Sequence, residues 1–434
     1  MTPPPEKRQQ CTPVKSLAQR AAGGKYSRMN RVAYFVVFVI VALLVVGGVH
    51  YYIWARLIRD PAFGPSVRRA LTLALLVLVA TLPLSFIAIR LLPLSIARIV
   101  TVPPYLWMGF FLLIFFLLLF GDALRLLGWL GVRLWGHGDW WSAHRLTLAR
   151  ALAAFAAGGA LLAGIVAVFT GLSAPVVRKV EVRLPRLPAA LDGFRIVQLT
   201  DLHLGPTLGE GWLRRALDLT REQSPDLVAI TGDFADASVA QLGPEIQALA
   251  GLKPPHGVFF VTGNHEFYGD WPSWRGELRR LGATVLENAR AVIEKNGARL
   301  VVAGVHDPEV RRMLPGGVSD AAAALEGVEP ELPVVLLAHQ ARTVSQPAAA
   351  RAGLILSGHN HGGQIWPWTY FVRLQQPIID GLHRFGDTWV YASQGTGFWG
   401  PPMRLCTRNE ITLIVLRADD AGSGEASPET TASR

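Results

Sequence analysis

Two cysteines in 434 residues, Cys11 and Cys406, exclude a disulfide framework and leave no thiolate cluster to hold a metal. Acidic residues are scarce in the first part of the chain. Residues 1–172 contain only Glu6, Asp60, Asp122 and Asp139 against seventeen Lys and Arg, so the formal net charge of +10 belongs to that part. A basic chain often binds nucleic acid through a clustered face, but here the basic residues flank long apolar runs, which is the pattern of membrane topology. Nucleic acid is therefore not an expected partner. No G-x-x-x-x-G-K-[ST] occurs, so ATP-driven transport has no support. "GTGFWG" (395–400) fits G-x-G-x-x-G, but Pro401 and Pro402 follow at once. No helix N-terminus is available there for a pyrophosphate, and a dinucleotide site is excluded.

What the chain has instead is apolar length. Four runs, roughly 32–54, 70–89, 104–121 and 150–172, are nearly free of charge and close to the ~20 residues that cross a bilayer as a helix. Tyr51, Tyr52, Trp54, Tyr105 and Trp107 stand at their ends as interfacial anchors. Between the third and fourth runs, Trp129, Trp135, Trp140 and Trp141 alternate with Arg125, Arg133 and Arg145, which predicts a segment lying along the membrane surface. Lys and Arg in the short flanks number thirteen on the side of the termini and eight on the other. That excess predicts a multi-pass cell-membrane protein with its second half in the cytoplasm. Apart from Asp122 at an end, the spans hold almost no ionisable residues, so they read as an anchor rather than a transport pathway.

From about residue 176 the texture changes to short apolar strands separated by helical stretches, the pattern of an α/β domain. Five strands end alike, in small residues followed by a polar donor: "VQLTDLH" on Asp201 and His203, "VAITGD" on Asp233, "FFVTGNHE" on Asn264, His265 and Glu266, "VVLLAH" on His339, and "LILSGHNH" on His359 and His361. Donors two apart point the same way in extended backbone, and sites in open α/β sheets collect at the carboxyl ends of strands. Two Asp, four His and one Asn without thiolate suit Mn, Fe, Zn or similar ions. Seven ligands are too many for one open catalytic ion. They suit two divalent ions, about 3.5–4 Å apart, that share a carboxylate.

Taken in order, Asp201-x-His203, Gly232-Asp233, Gly263-Asn264-His265-Glu266, His339 and Gly358-His359-Asn360-His361 resemble the signature of the calcineurin-like metallophosphoesterases, over roughly residues 191–417. The ending "SQGTGFWGPPMR" is similar to the membrane-associated bacterial branch. Glu266 stands where many members carry Asp, which keeps a carboxylate. The resemblance implies an αββα sandwich of two mixed sheets, with Asp201, His203 and His361 on one ion and Asn264, His339 and His359 on the other. Asp233 would bridge them. It also implies that a hydroxide between the ions attacks phosphorus while His265, oriented by Glu266, protonates the leaving group.

The expected organisation is a disordered basic tail (1–31), a transmembrane anchor of about four helices (32–172), a linker and leading strand (173–190), the metallophosphoesterase domain (191–417) and a disordered tail (418–434). The expected function is a membrane-anchored metal-dependent phosphoesterase. A phosphodiester is favoured because no Arg cluster accompanies the motifs. Its partners are the bilayer and a phosphoester substrate, for which anchoring suggests a lipid- or envelope-linked compound; no protein partner is identifiable. The alternative is a transport or sensor protein whose metal-binding domain is regulatory.

Overall fold

The computed structural model describes residues 17–418; the expected tails over 1–16 and 419–434 lie outside them. The N-terminal half consists of four helices, α1 (Leu17–Trp54), α2 (Pro65–Leu91), α3 (Leu94–Leu134) and α4 (Gly138–Leu172), each with a stretch long and apolar enough to cross a membrane. Proline sets two of the boundaries. Pro65 follows Gly64 at the start of α2, where its missing N–H costs nothing. Pro93 forces Leu92 into extended backbone and ends that helix. Against expectation, α1 runs back to Leu17, inside the tail expected over 1–31. Nor does the Trp- and Arg-rich stretch form a separate surface segment. It continues α3 to Leu134, turns at Gly136 (φ 76°) and enters α4. Its Leu, Arg and Trp residues include no proline to stop a helix.

Small residues bring α3 and α4 together, as is usual between membrane helices. A Cβ on Gly164 would lie 2.2 Å from the Phe110 ring, and one on Gly121 2.2 Å from Leu152. Ala156, Ala160 and Ala167 are fully buried on the same side of α4.

The second half is a two-sheet sandwich. Strands β1 (Val176–Arg183), β2 (Arg195–Leu199), β3 (Leu227–Ile230), β4 (Val258–Phe260), β5 (Ala283–Val285), β6 (Ala289–Lys295), β7 (Ala298–Gly304), β8 (Val334–Leu337), β9 (Leu354–Ser357), β10 (Gly381–Phe385), β11 (Thr388–Ala392) and β12 (Glu410–Arg417) form two mixed sheets. Their orders are β1-β12-β2-β3-β4-β5 and β10-β11-β9-β8-β7-β6. Alternate residues of facing strands, among them Ile196, Ala229, Phe259, Val302, Val335, Leu356 and Ile414, fill the space between the sheets. The opposite face of the first sheet is covered by α5 (Glu210–Glu222) and the helix Trp271–Arg280, and that of the second by short helices over 321–351. Strands buried on both faces explain the apolar runs without alternation.

The two halves are welded together. Met403 is fully buried against the helices; a Cβ on Gly109 would meet its Sδ at 2.2 Å, and one on Gly171 would lie 2.8 Å from the Pro402 carbonyl. Arg404 N donates to Ala167 O (2.8 Å), Asn409 Nδ2 to Gly171 O (2.8 Å), and Arg98 pairs with Glu245 (2.6 Å).

Candidate metal centre

The carboxyl ends of β2, β3, β4, β8 and β9 meet at one edge of the sandwich, and every donor expected from the sequence lies there. Three groups come close enough to share an ion: Asp201 with His203 and His361, Asp233 with His339 and His359, and His203 with Asp236 and His265. In the first, His203 Nε2 and His361 Nε2 are 3.2 Å apart, and His361 Nε2 is 3.4 Å from Asp201 Oδ1. In the second, His339 Nε2 lies 3.1 Å from Asp233 Oδ2 and 3.2 Å from His359 Nδ1. Asp233 Oδ2 is also 3.7 Å from His203 Nε2, so this carboxylate stands between the two groups.

The local backbone explains the glycines. A Cβ on Gly263 would fall 2.1 Å from Asp233 Oδ1, and one on Gly358 2.2 Å from Asp201 Oδ2. The carboxylates therefore lie directly against the neighbouring strand end, where Asp233 Oδ1 accepts from His265 N (2.9 Å) and both Asp201 oxygens accept from His359 N (3.0 Å). Asp201, His203, Asp233, His359 and His361 all have positive φ, from 44° to 72°. This backbone costs of order 1 kcal/mol or more per residue and clusters at functional sites.

The residues fit divalent ions on three counts. Asn264 Oδ1 is buried with no hydrogen-bond partner, and a buried acceptor left bare is costly unless something occupies it. His339 Nδ1 donates to Thr231 O (2.7 Å) and His203 Nδ1 faces Asp236 Oδ1 (2.9 Å), which turns each Nε2 lone pair into the site. Burial, with His339 nearby, pushes His359 down to about 3, and burial next to His203 holds His361 well below its ordinary range. Both rings are thus held neutral, the form that can donate to a metal.

His265 is different. Burial lowers its pKa, but the Asp233 and Asp236 carboxylates outweigh this and raise it to about 9. Its Nδ1 is 2.6 Å from Asp236 Oδ1 and its Nε2 3.9 Å from Asp233 Oδ2. The partner expected for His265 was Glu266; the structure has Asp236 there instead. Glu266 turns inward and accepts backbone N–H groups from Gly263 (2.6 Å), Phe234 (2.8 Å) and Asp233 (3.0 Å). It shapes the loop that carries Asp233, and burial beside Asp233 raises its carboxyl to about 7.

Asp236 escaped the sequence reading because it lies three residues beyond Asp233, in "GDFAD", where nothing local says which way its side chain turns. Arg404 escaped too. Fully buried, it donates to His361 O (3.1 Å), Gln394 O (2.6 Å) and Asn409 Oδ1 (2.7 Å). The "GTG" of 395–397 packs behind the site: Thr396 N donates to Thr200 O (2.7 Å) and Gly397 N to Asp201 O (2.9 Å), clamping the end of β2.

Residues 194–363 match the family model of the calcineurin-like phosphoesterases. A "transmembrane protein with metallophosphoesterase domain" from Bos taurus is 33% identical over 396 residues, covering 87% of this chain and 88% of that one. One of the same description from Danio rerio is 40% identical over 251 residues, 56% of this chain and 57% of its own length. An uncharacterised metallophosphoesterase from Helicobacter pylori is 32% identical over 250 residues, 57% of this chain and 65% of that one. The similarity thus reaches animals as well as bacteria.

Proposed function

The chain belongs to the calcineurin-like metallophosphoesterases, and from that premise we propose that it is a membrane-anchored two-metal phosphodiesterase. Asp201, His203 and His361 would hold one ion, Asn264, His339 and His359 the other, and Asp233 would touch both. Bound divalent ions supply a water acidic enough to attack at neutral pH and neutralise charge on the phosphoryl oxygens.

The single observation that carries the reading is the Asp236–His265 pair beside the ligands. Asp236 fixes the imidazole through Nδ1, and the Asp233 and Asp236 carboxylates together keep it protonated, so Nε2 presents a proton to the site at neutral pH. A general acid in that position protonates the departing alkoxide as its P–O bond breaks. A regulatory metal site has no use for such a group. A diester is favoured over a monoester because the guanidinium buried behind the ligands is not open to a phosphate dianion: Arg404 is occupied by carbonyls and Asn409. Arg342 is 44% exposed and faces Glu309 only at 3.9 Å, so the monoester arm of the test decides whether it serves a dianion.

The test uses the full chain in nanodiscs, stripped of metal and resupplied with Mn, on bis(p-nitrophenyl) phosphate and p-nitrophenyl phosphate. The expected result is metal-dependent cleavage of the diester, lost in His265→Ala and in Asp233→Asn. Cleavage of the monoester alone would reject the diester preference. Metal binding without turnover of either would return the regulatory reading.

A further inference from the structure

Four residues past His361 the chain enters "IWPWTYFVRL" (365–374), which carries no acidic residue and one base, Arg373. Trp366, Trp368, Tyr370, Phe371 and Leu374 are all exposed, Leu374 to 82%. Soluble surfaces rarely collect so many large apolar side chains in one place. This stretch does not face the far side of the domain. Ile365 is buried in one cluster with Ile53, Leu113, Ile114 and Leu118 of the apolar helices, and the Phe371 ring lies 5.7 Å from that of Phe116 in α3. The loop before β12 touches α3 at Met108, next to Gly400. Met108 to Phe116 is about 12 Å along a helix, so the catalytic half runs beside the apolar part of α3 for that length.

The residue just before this stretch ties it to the edge of the metal centre. Gln364 N donates to His361 O (3.0 Å), and its side chain bonds Trp399 at both N (3.1 Å) and O (2.9 Å). The Trp399 ring, 40% exposed, stands 5.9 Å from the His265 ring. The buried Tyr105 of α3 lies in electrostatic reach of Asp236.

We propose that residues 365–374 and Trp399 form a rim seated in the bilayer, and that the substrate is a membrane-resident amphiphile whose phosphodiester headgroup reaches His265 past Trp399 while its chains stay in lipid. The occupant of the aromatic face is lipid because that face is continuous with helices long and apolar enough to cross a membrane. Amphipathic rings with a single Arg suit the interfacial layer. The substrate class rests on the phosphodiesterase reading; the seating of the rim does not.

The experiment separates the two. In the full chain with Cys11→Ser and Cys406→Ser, a bimane label is placed by Leu374→Cys and, as an aqueous control on β10, by His383→Cys. The labelled proteins go into nanodiscs of phosphatidylcholine and phosphatidylglycerol. At 374, quenching by spin-labelled lipid and protection from iodide are expected, with the reverse at 383. In unlabelled protein, Trp368→Ser with Leu374→Ser should slow release of p-nitrophenol from nanodisc-borne phosphatidyl-p-nitrophenol by about tenfold. Turnover of soluble bis(p-nitrophenyl) phosphate should stay within about twofold.

Iodide quenching at 374 equal to that at 383 would overturn the rim. Equal loss on both diesters would show a merely structural segment and overturn the admission of an amphiphile, as would cleavage of the soluble diester alone by the unsubstituted protein. If neither diester is cleaved, the phosphodiesterase reading and the substrate class fail together, and the quenching still decides where the rim sits.

Discussion

Asp236 joins two imidazoles, accepting at Nδ1 of both His203 and His265. It touches no reacting atom, so it is a positioning residue, and its removal should show in the pH profile as well as the rate. The carboxylate raises the pKa of His265. Asp236→Asn should therefore lower it, so that the acid form is lost at lower pH and the basic limb of kcat moves acidward. The rate at neutral pH should fall about tenfold to hundredfold, as for other groups that orient a site from behind. A pH–rate series on the substituted protein with its metal content measured checks this; an unmoved basic limb rejects it. The donors that the structure brings together were legible in the sequence because strand ends announce them: an apolar run, a small residue, then a donor. What the sequence hides is side-chain direction. Glu266 is next to His265 in the chain and Asp236 is far from it, yet the inward turn of the first leaves the second as the partner of the imidazole.

At the scale of elements, some boundaries follow from local signals, such as Pro93 stopping α2 and the glycines turning strand ends. The seam between membrane helices and sandwich does not, since it joins residues far apart in the chain. A close backbone approach in it is at Gly171, one residue before α4 ends, where a Cβ would lie 2.8–2.9 Å from the Pro402 carbonyl and the Met403 backbone. Backbone on both sides cannot swing away as a side chain could. Gly171→Val should therefore push α4 off the 401–404 loop and cost about 1–3 kcal/mol or more. Because Arg404 holds His361 O, the displacement should also weaken metal retention. A thermal shift and metal analysis on the full chain check both effects; an unchanged melting temperature would mean that the seam gives freely.

For the whole molecule, the helices do more than tether. Met403 and Ile365 are buried on them, and Tyr105 stands near Asp236. A fragment of residues 173–434 should therefore bare an apolar seam, running as aggregate on size exclusion in the absence of detergent, where the full chain in nanodiscs stays monodisperse. A monodisperse, fully active fragment would show the seam to be dispensable. The sheet order carries a further consequence. β12 lies between β1 and β2, pairing parallel with the first and antiparallel with the second. A ribosome makes it after every other strand of its sheet, when the four helices have long since emerged. Until then β2, which bears Asp201 at its end, has a bare edge, and β1 dangles from α4 with nothing to pair with. The centre can thus assemble only after synthesis has passed residue 417. A nascent chain stalled at 409 should take up no metal, and one extended past 417 by enough residues to clear the exit tunnel should.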